Sequence, residues 1–332
     1  MIRDKETKKI DAKKLVSFVG TLLMILSIFF VVQRLRATGG GDDGIDFALL
    51  TSPWIIAGLL FVATTEGLGI LAAGLNFRAL LRNVSGIAVD RILAVKVYTE
   101  SNVYKYIPGG VMYVAGRNRL AVEVKALSHG KVVLSTILEG VAMVVGVIVV
   151  AVVFAFEHSV SYIRTLEIPT FVFVLLGLVL LSVIPTIYCL RHRIRSGIKK
   201  LTDNTETISW FVIVKRLGFS VLLMFLYSGT FLMTLMLMGQ SMTFELGFAI
   251  IGLYLLSWLA GFMTPGAPSG LGIREAVMMM FLTGFVDDSI LISAMVMHRV
   301  LTVMGDVFAY VIALLINIKS GKQKSKIKSC EA

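Results

Sequence analysis

An Arg-Glu pair at 274–275 follows the stretch Thr264-Pro265-Gly266-Ala267-Pro268-Ser269-Gly270-Leu271-Gly272-Ile273, between apolar runs at 246–263 and 276–286. In a membrane protein such a break interrupts a spanning segment. Irregular backbone at that depth is tolerated only where it is buried in protein or lines a wet cavity. Arg274 and Glu275 fall in the first turn of the helix that restarts after the break. A glutamate there complements the helix dipole, and the free N–H groups of that turn suit an anion. Two readings follow. In one, the Ser269–Gly272 turn and Arg274 hold a lipid phosphate, with Glu275 orienting Arg274 or a second helix. In the other, the charges form a structural ion pair with another helix. Adjacent helical residues point in different directions, so each needs its own partner.

Further charges fall inside apolar segments, where an unpaired charge is costly and marks a functional site by default. Arg299 and Asp306 lie seven residues apart on one helical face, with His298 a little off it. Arg299 could bind phosphate or pair with Glu275. His298 could relay protons near physiological pH or serve as a hydrogen-bonded packing residue. Glu66 and Glu139 could accept a cationic headgroup, couple transport to protons, or neutralise Arg117 or Arg299. The acids Glu66, Glu139, Glu275 and Asp306 nearly balance Arg274, Arg299 and Arg117. That balance predicts a polar cavity with internal pairing, not a strongly charged pore.

The elements that position these groups are apolar runs of about twenty residues, enough to cross ~30 Å of hydrocarbon. The chain of 332 residues is 57% hydrophobic and 16% charged, against roughly 45–50% and about 25% in soluble domains. Eight crossings are expected, at about 15–35, 53–75, 131–156, 169–190, 211–238, 244–263, a broken one within 264–286, and 289–316. The first, Leu15–Val32, lacks a small-residue cleavage site and reads as a retained helix, not a secretory signal. The net charge of +11 is concentrated in the N-terminus (1–14), the stretch 191–216 and the tail (317–332). That is the positive-inside pattern, with both termini cytoplasmic and no call for nucleic acid. Cys189 and Cys330 support neither a disulfide framework nor a zinc site.

Residues 76–130 are too polar to span and too apolar for a plain loop. A re-entrant hairpin over about 95–115, turning at Pro108-Gly109-Gly110, is expected. Tyr98, Tyr104, Tyr106 and Tyr113 suit a groove partly apolar and partly wet. Arg117 and Arg119 follow, as cytoplasmic-edge arginines or phosphate ligands. The alternative is an amphipathic helix pair on the membrane surface. Two interrupted elements, at Pro108 and at Pro265–Gly272, are together a pointer to a transport site.

These two motifs carry a resemblance. Tyr104-Lys-Tyr-Ile-Pro-Gly-Gly-Val-Met-Tyr-Val-Ala-Gly-Arg117 and Pro268-Ser-Gly-Leu-Gly-Ile-Arg-Glu-Ala276 are similar to signatures of flippase-like membrane proteins grouped with the transmembrane region of lysylphosphatidylglycerol synthases. Ser269 stands where that family usually has glycine. The resemblance implies movement of lipid-linked molecules between leaflets. The synthases' soluble aminoacyl-transferase module is not expected here, because only a basic tail follows the last crossing.

The expectation is therefore an all-α integral membrane protein, one polytopic domain over 1–332, in the plasma membrane. It would move a phosphate-bearing lipid or lipid-linked glycan headgroup. Arg274, Arg299 and Arg117 would hold the headgroup, in a cleft formed with Glu275, Ser269, Gly270, Gly272, Pro108, Gly109 and Tyr113. Glu66, Glu139, His298 and Asp306 would handle charge coupling. The alternative is a non-transporting accessory protein presenting lipid substrate to a glycosyltransferase or lipid-modifying enzyme. Without a Walker A, HExxH or nucleophile-elbow sequence, no catalysis, metal or cofactor is expected.

Overall fold

The computed structural model describes residues 52–106, 112–165, 210–264 and 268–330. Within them every regular element is helical, and no strand forms beyond an isolated bridge between Thr283 and Val286. Helix α1 (Pro53–Ser85) places its proline in the first turn, where a missing N–H costs nothing, and closes on Gly86 in the left-handed region. At 33 residues it is about 50 Å long, well beyond the thickness of the hydrocarbon layer. Helix α2 (Arg91–Val103) is capped by Asp90, whose carboxylate accepts from the N–H groups of Ile92 and Leu93. It runs into a 3-10 turn (Tyr104–Tyr106); the short helices α3 (Met112–Arg117) and α4 (Arg119–Glu123) follow.

Helices α5 (His129–Thr165), α6 (Trp210–Leu237) and α7 (Phe244–Met263) follow. Beyond α7 come a 3-10 turn at Pro268–Gly270, the ten-residue helix α8 (Ile273–Leu282) and the long helix α9 (Asp288–Cys330). Helix α8 rises only about 15 Å, half the apolar layer, so the segment expected to be broken is indeed interrupted. Five described helices are long and apolar enough to cross a membrane: Pro53–Ser85, His129–Ala151, Val214–Leu237, Phe244–Met263 and Asp288–Ile318. They correspond to five of the expected crossings. Those at 15–35 and 169–190 lie outside the described residues.

The main core joins α1, α5, α6, α7, α8 and α9 through Phe231, Leu235, Ile250, Leu255, Met279, Leu282, Leu291 and Ile292. A second core, around Phe77, Tyr98, Leu120 and Leu127, seats α2 and α4 against α1. Ala94, Val97, Tyr98, Thr99 and Ser101 of α2 are all buried, so this element is packed within the protein. The outward faces carry Leu60, Phe61, Leu68, Val300, Val307 and Val311, apolar side chains that suit lipid contact. Helices α1 and α9 meet backbone to backbone. A Cβ on Gly305 would stand 2.7 Å from Glu66 Cβ and 3.0 Å from the Gly67 nitrogen. Small residues at such a crossing allow close approach in lipid, and this one brings Glu66 and Asp306 to the same chamber.

Candidate functional site

The Pro-Gly break folds through three residues with positive φ: Ser269 at 53°, Gly270 at 67° and Gly272 at 84°. Glycine adopts that region freely, whereas serine does not. Gly270 rests against Gly261 of α7 so closely that a Cβ on Gly270 would lie 2.7 Å from Gly261 Cα. The turn is then clamped from both sides. Glu275 accepts from the Gly272 N–H at 2.8 Å, tying the first turn of α8. From α9, Arg299 donates to Glu275 at 2.6 Å, to the Ser269 carbonyl at 3.1 Å and to the Gly270 carbonyl at 3.3 Å.

Arg117, read from sequence as a cytoplasmic-edge arginine or a phosphate ligand, is 4% exposed and donates to Glu139 of α5. The Tyr98 hydroxyl donates to the other carboxylate oxygen at 2.9 Å. The rings of Phe77, Tyr98 and Tyr113 surround the guanidinium, with centroids 4.9, 4.2 and 5.3 Å away. The ion pair and the stacked rings offset the burial of this cation, although its Nε has no hydrogen-bond partner among the described residues. Arg119 points elsewhere, into exposed pairs with Glu100 and Glu123.

Asp306 shares a face with Arg299 as its spacing predicts, but the two do not pair. The carboxylate instead gathers donors from the interrupted element: Asn102 at 2.6 Å, Lys105 at 2.8 Å and the Tyr106 hydroxyl. His298 is buried at the edge of the chamber, with ring nitrogens 3.0 Å from the Tyr254 hydroxyl and 3.4 Å from Thr234 Oγ1. It packs edge-on against Phe231 and Tyr254. These contacts match the packing reading of this histidine. Among the described residues the Glu66 carboxyl hydrogen-bonds with Thr230 Oγ1 alone, at 2.5 Å.

Between the two interrupted elements lies a cavity of about 290 Å³. Glu66, Glu139, Asp306, Arg117, Arg274, Arg299, Tyr113, Ser269 and Gly270 all line it, so most of the residues singled out in the sequence converge on one chamber. Glu275 faces a smaller recess beside it, shared with His298. Pro108 and Gly109 lie outside the described residues. The volume sits just below the range for small-molecule pockets, roughly 300–1,000 Å³.

Arg274 differs from the other two cavity arginines. Among the described residues it forms no ion pair, whereas Arg117 and Arg299 each do; its enclosed Nε, like that of Arg117, has no hydrogen-bond partner. Its guanidinium sits 5.5 Å from the centre of the Trp258 ring, which itself stacks on Phe262. The site therefore presents one uncommitted cation on an aromatic wall.

Sequence reasoning missed Asn102, Lys105, Thr230 and Trp258. Lys105 and Tyr106 stood within the Tyr104–Arg117 motif, so their place beside the turn was a usable signal. Thr230 and Trp258 sit in uniformly apolar runs and carried none.

Comparison with curated proteins returns no match. The family description of the lysylphosphatidylglycerol synthase transmembrane region matches residues 15–309, a span that contains both motifs and every cavity residue named above. With five apolar helices of spanning length, this is a multi-pass membrane protein whose family ties it to membrane lipids. The chain belongs to the family of the lysylphosphatidylglycerol synthase transmembrane region.

Proposed function

We propose that the chamber takes up the phosphate-bearing headgroup of a lipid, or of a lipid-linked glycan, and passes it between leaflets while the tails stay in the surrounding bilayer. One observation carries this reading: Arg274 faces the cavity as a cation with no ion-pair partner among the described residues. Leaving a charge enclosed without a partner costs several kcal/mol, about the penalty of breaking a buried pair. An anionic ligand offsets that cost. Arg299 and Arg117 are committed to Glu275 and Glu139, so they shape the chamber and Arg274 binds. A re-entrant hairpin over about 95–115 acts as a wall, entering and leaving on one side of the membrane. No covalent step is assigned to the site.

The test is headgroup translocation by purified protein in liposomes, followed with a fluorescent phospholipid and a membrane-impermeant quencher. Arg274→Gln is expected to lose translocation while folding normally. A native rate in that variant would refute the proposal. Headgroup binding with no translocation would favour presentation of the lipid to a glycosyltransferase or lipid-modifying enzyme.

A further inference from the structure

A second cavity group lacks a neutralising partner. Glu66 is 5% exposed and joins no ion pair among the described residues, while the neighbouring acids are committed. Glu139 is held by Arg117 and Asp306 by Lys105. The contacts of Glu66 bear on its proton. Thr230 Oγ1 lies 2.5 Å from Glu66 Oε1 and 2.7 Å from the Tyr227 carbonyl. A hydroxyl carries a single hydrogen, and a carbonyl can only accept. With that hydrogen on the Tyr227 carbonyl, the short contact to Glu66 is a hydrogen bond only when the carboxyl supplies its own proton.

We propose that Glu66 is a protonated acid in the resting protein, and that its protonation is linked to anion occupancy at Arg274. Headgroup and proton are then bound together. The inference rests on the headgroup reading above and adds its energetic coupling. The titratable and charged groups facing the chamber around Glu66 are Tyr98, Lys105, Tyr106, Tyr113 and Arg117 of the interrupted element, Glu139 of α5, Tyr227 of α6, Tyr254 of α7, Arg274 of α8, and Arg299 and Asp306 of α9, with Glu275 in the adjoining recess. Lys105, Arg117 and Arg299 are matched by Asp306, Glu139 and Glu275, which leaves Arg274 as the net charge of the set. An ionised Glu66 would cancel that charge and oppose the anion, whereas a neutral Glu66 leaves it available. By reciprocity, anion binding then favours the protonated acid to the same extent.

The experiment uses the full chain in dodecyl maltoside, titrated with dihexanoylphosphatidylglycerol and, separately, with dimethyl phosphate. Both are phosphodiesters of constant single charge, so any pH slope belongs to the protein. The affinity of the native protein should fall by about tenfold per pH unit once Glu66 ionises, and Glu66→Gln should hold its acid-side affinity over the same range. Infrared spectra of the native protein should show the carbonyl stretch of a protonated carboxyl that disappears as affinity falls. This measurement stands even if the variant fails to fold.

Equal pH slopes in the native protein and Glu66→Gln would overturn the linkage and leave the Arg274 reading intact. So would a missing carboxyl band at the pH of best binding. Native affinity in Arg274→Gln would instead overturn the headgroup reading itself. Binding of the lipid alone supports a site that also needs the tails, and binding of both probes supports recognition of the phosphodiester. Binding of neither overturns both proposals.

Discussion

Arg299 of the last helix reaches across 24 residues of sequence to Glu275, at 2.6 Å, and with the same guanidinium gathers two carbonyls of the Ser269–Gly270 turn. Two charges that could each have met a ligand are thereby used to close the break. The neighbouring arginine, one residue before Glu275, is left facing the cavity. This one pairing makes Arg299 the brace and leaves Arg274 without an ion pair among the described residues.

The first expectation concerns that pair. Arg299→Ala leaves the Glu275 carboxylate and two turn carbonyls without their donor. With both side chains largely shielded, the loss should be about 3 kcal/mol. Glu275→Ala should cost similarly, since it also removes the tie to the Gly272 N–H. The double variant Arg299→Ala/Glu275→Ala should lose less than the sum, because neither charge is then stranded. Thermal unfolding of the four proteins in one detergent closes the cycle.

A second expectation follows from backbone strain. Ser269 holds φ at 53°, a region that costs a non-glycine residue roughly 1–2 kcal/mol. Its hydroxyl returns only a long contact to Arg299 of 3.4 Å. Ser269→Gly should therefore raise the unfolding temperature, or leave it level if chain entropy offsets the relief. A clear fall would show that the hydroxyl contact outweighs the strain.

Gly261 offers a third. A Cβ there would stand 2.7 Å from Arg274 Cγ and 3.1 Å from Gly270 Cα. Gly261→Ala should leave α7 helical, since alanine favours helix, yet push Arg274 off its seat against Trp258. Circular dichroism should stay native while phosphodiester affinity drops by about tenfold or more, the effect of roughly 1.4 kcal/mol.

The fourth concerns Asp306, where three donors of the interrupted element converge. Asp306→Ala frees Lys105 and leaves Asn102 and Tyr106 without their acceptor. Hydrogen exchange should quicken in the 91–106 segment, which is fastened to the last helix at this point, with little change in α7. Uniform protection across the variant would mean that packing by Tyr98 and Val97 alone holds the element.

Much of the architecture was legible in the chain. Apolar runs of spanning length marked the five long helices because lipid imposes hydrophobicity along the whole segment. The break at 264–276 was visible because two prolines and three glycines cannot continue a helix. Near-equal numbers of buried acids and arginines predicted internal pairing; the cavity shows it for Arg117 with Glu139 and Arg299 with Glu275, but not for Glu66 or Arg274 among the described residues. The partners were harder to read. Arg117 stood at the end of a motif beside a polar stretch, where positive-inside bias was a sufficient account. Its burial on Glu139 depends on α3 folding back against α5, and no local pattern encodes that contact.

The sequence by itself determined a helical membrane protein with two interruptions and a set of charges too costly to leave in lipid. Tertiary structure alone decided how those charges were shared. Adjacent residues on a helix point about 100° apart, so only the crossing of α9 over α8 could give Glu275 to Arg299 and leave Arg274 open to the cavity. In the same way, only the packing of α1 against α6 set Glu66 beside Thr230, and among the described residues it meets no ion pair. Ion pairing acts over a few ångströms between segments far apart in the chain, and their relative placement is set by packing that no single segment contains.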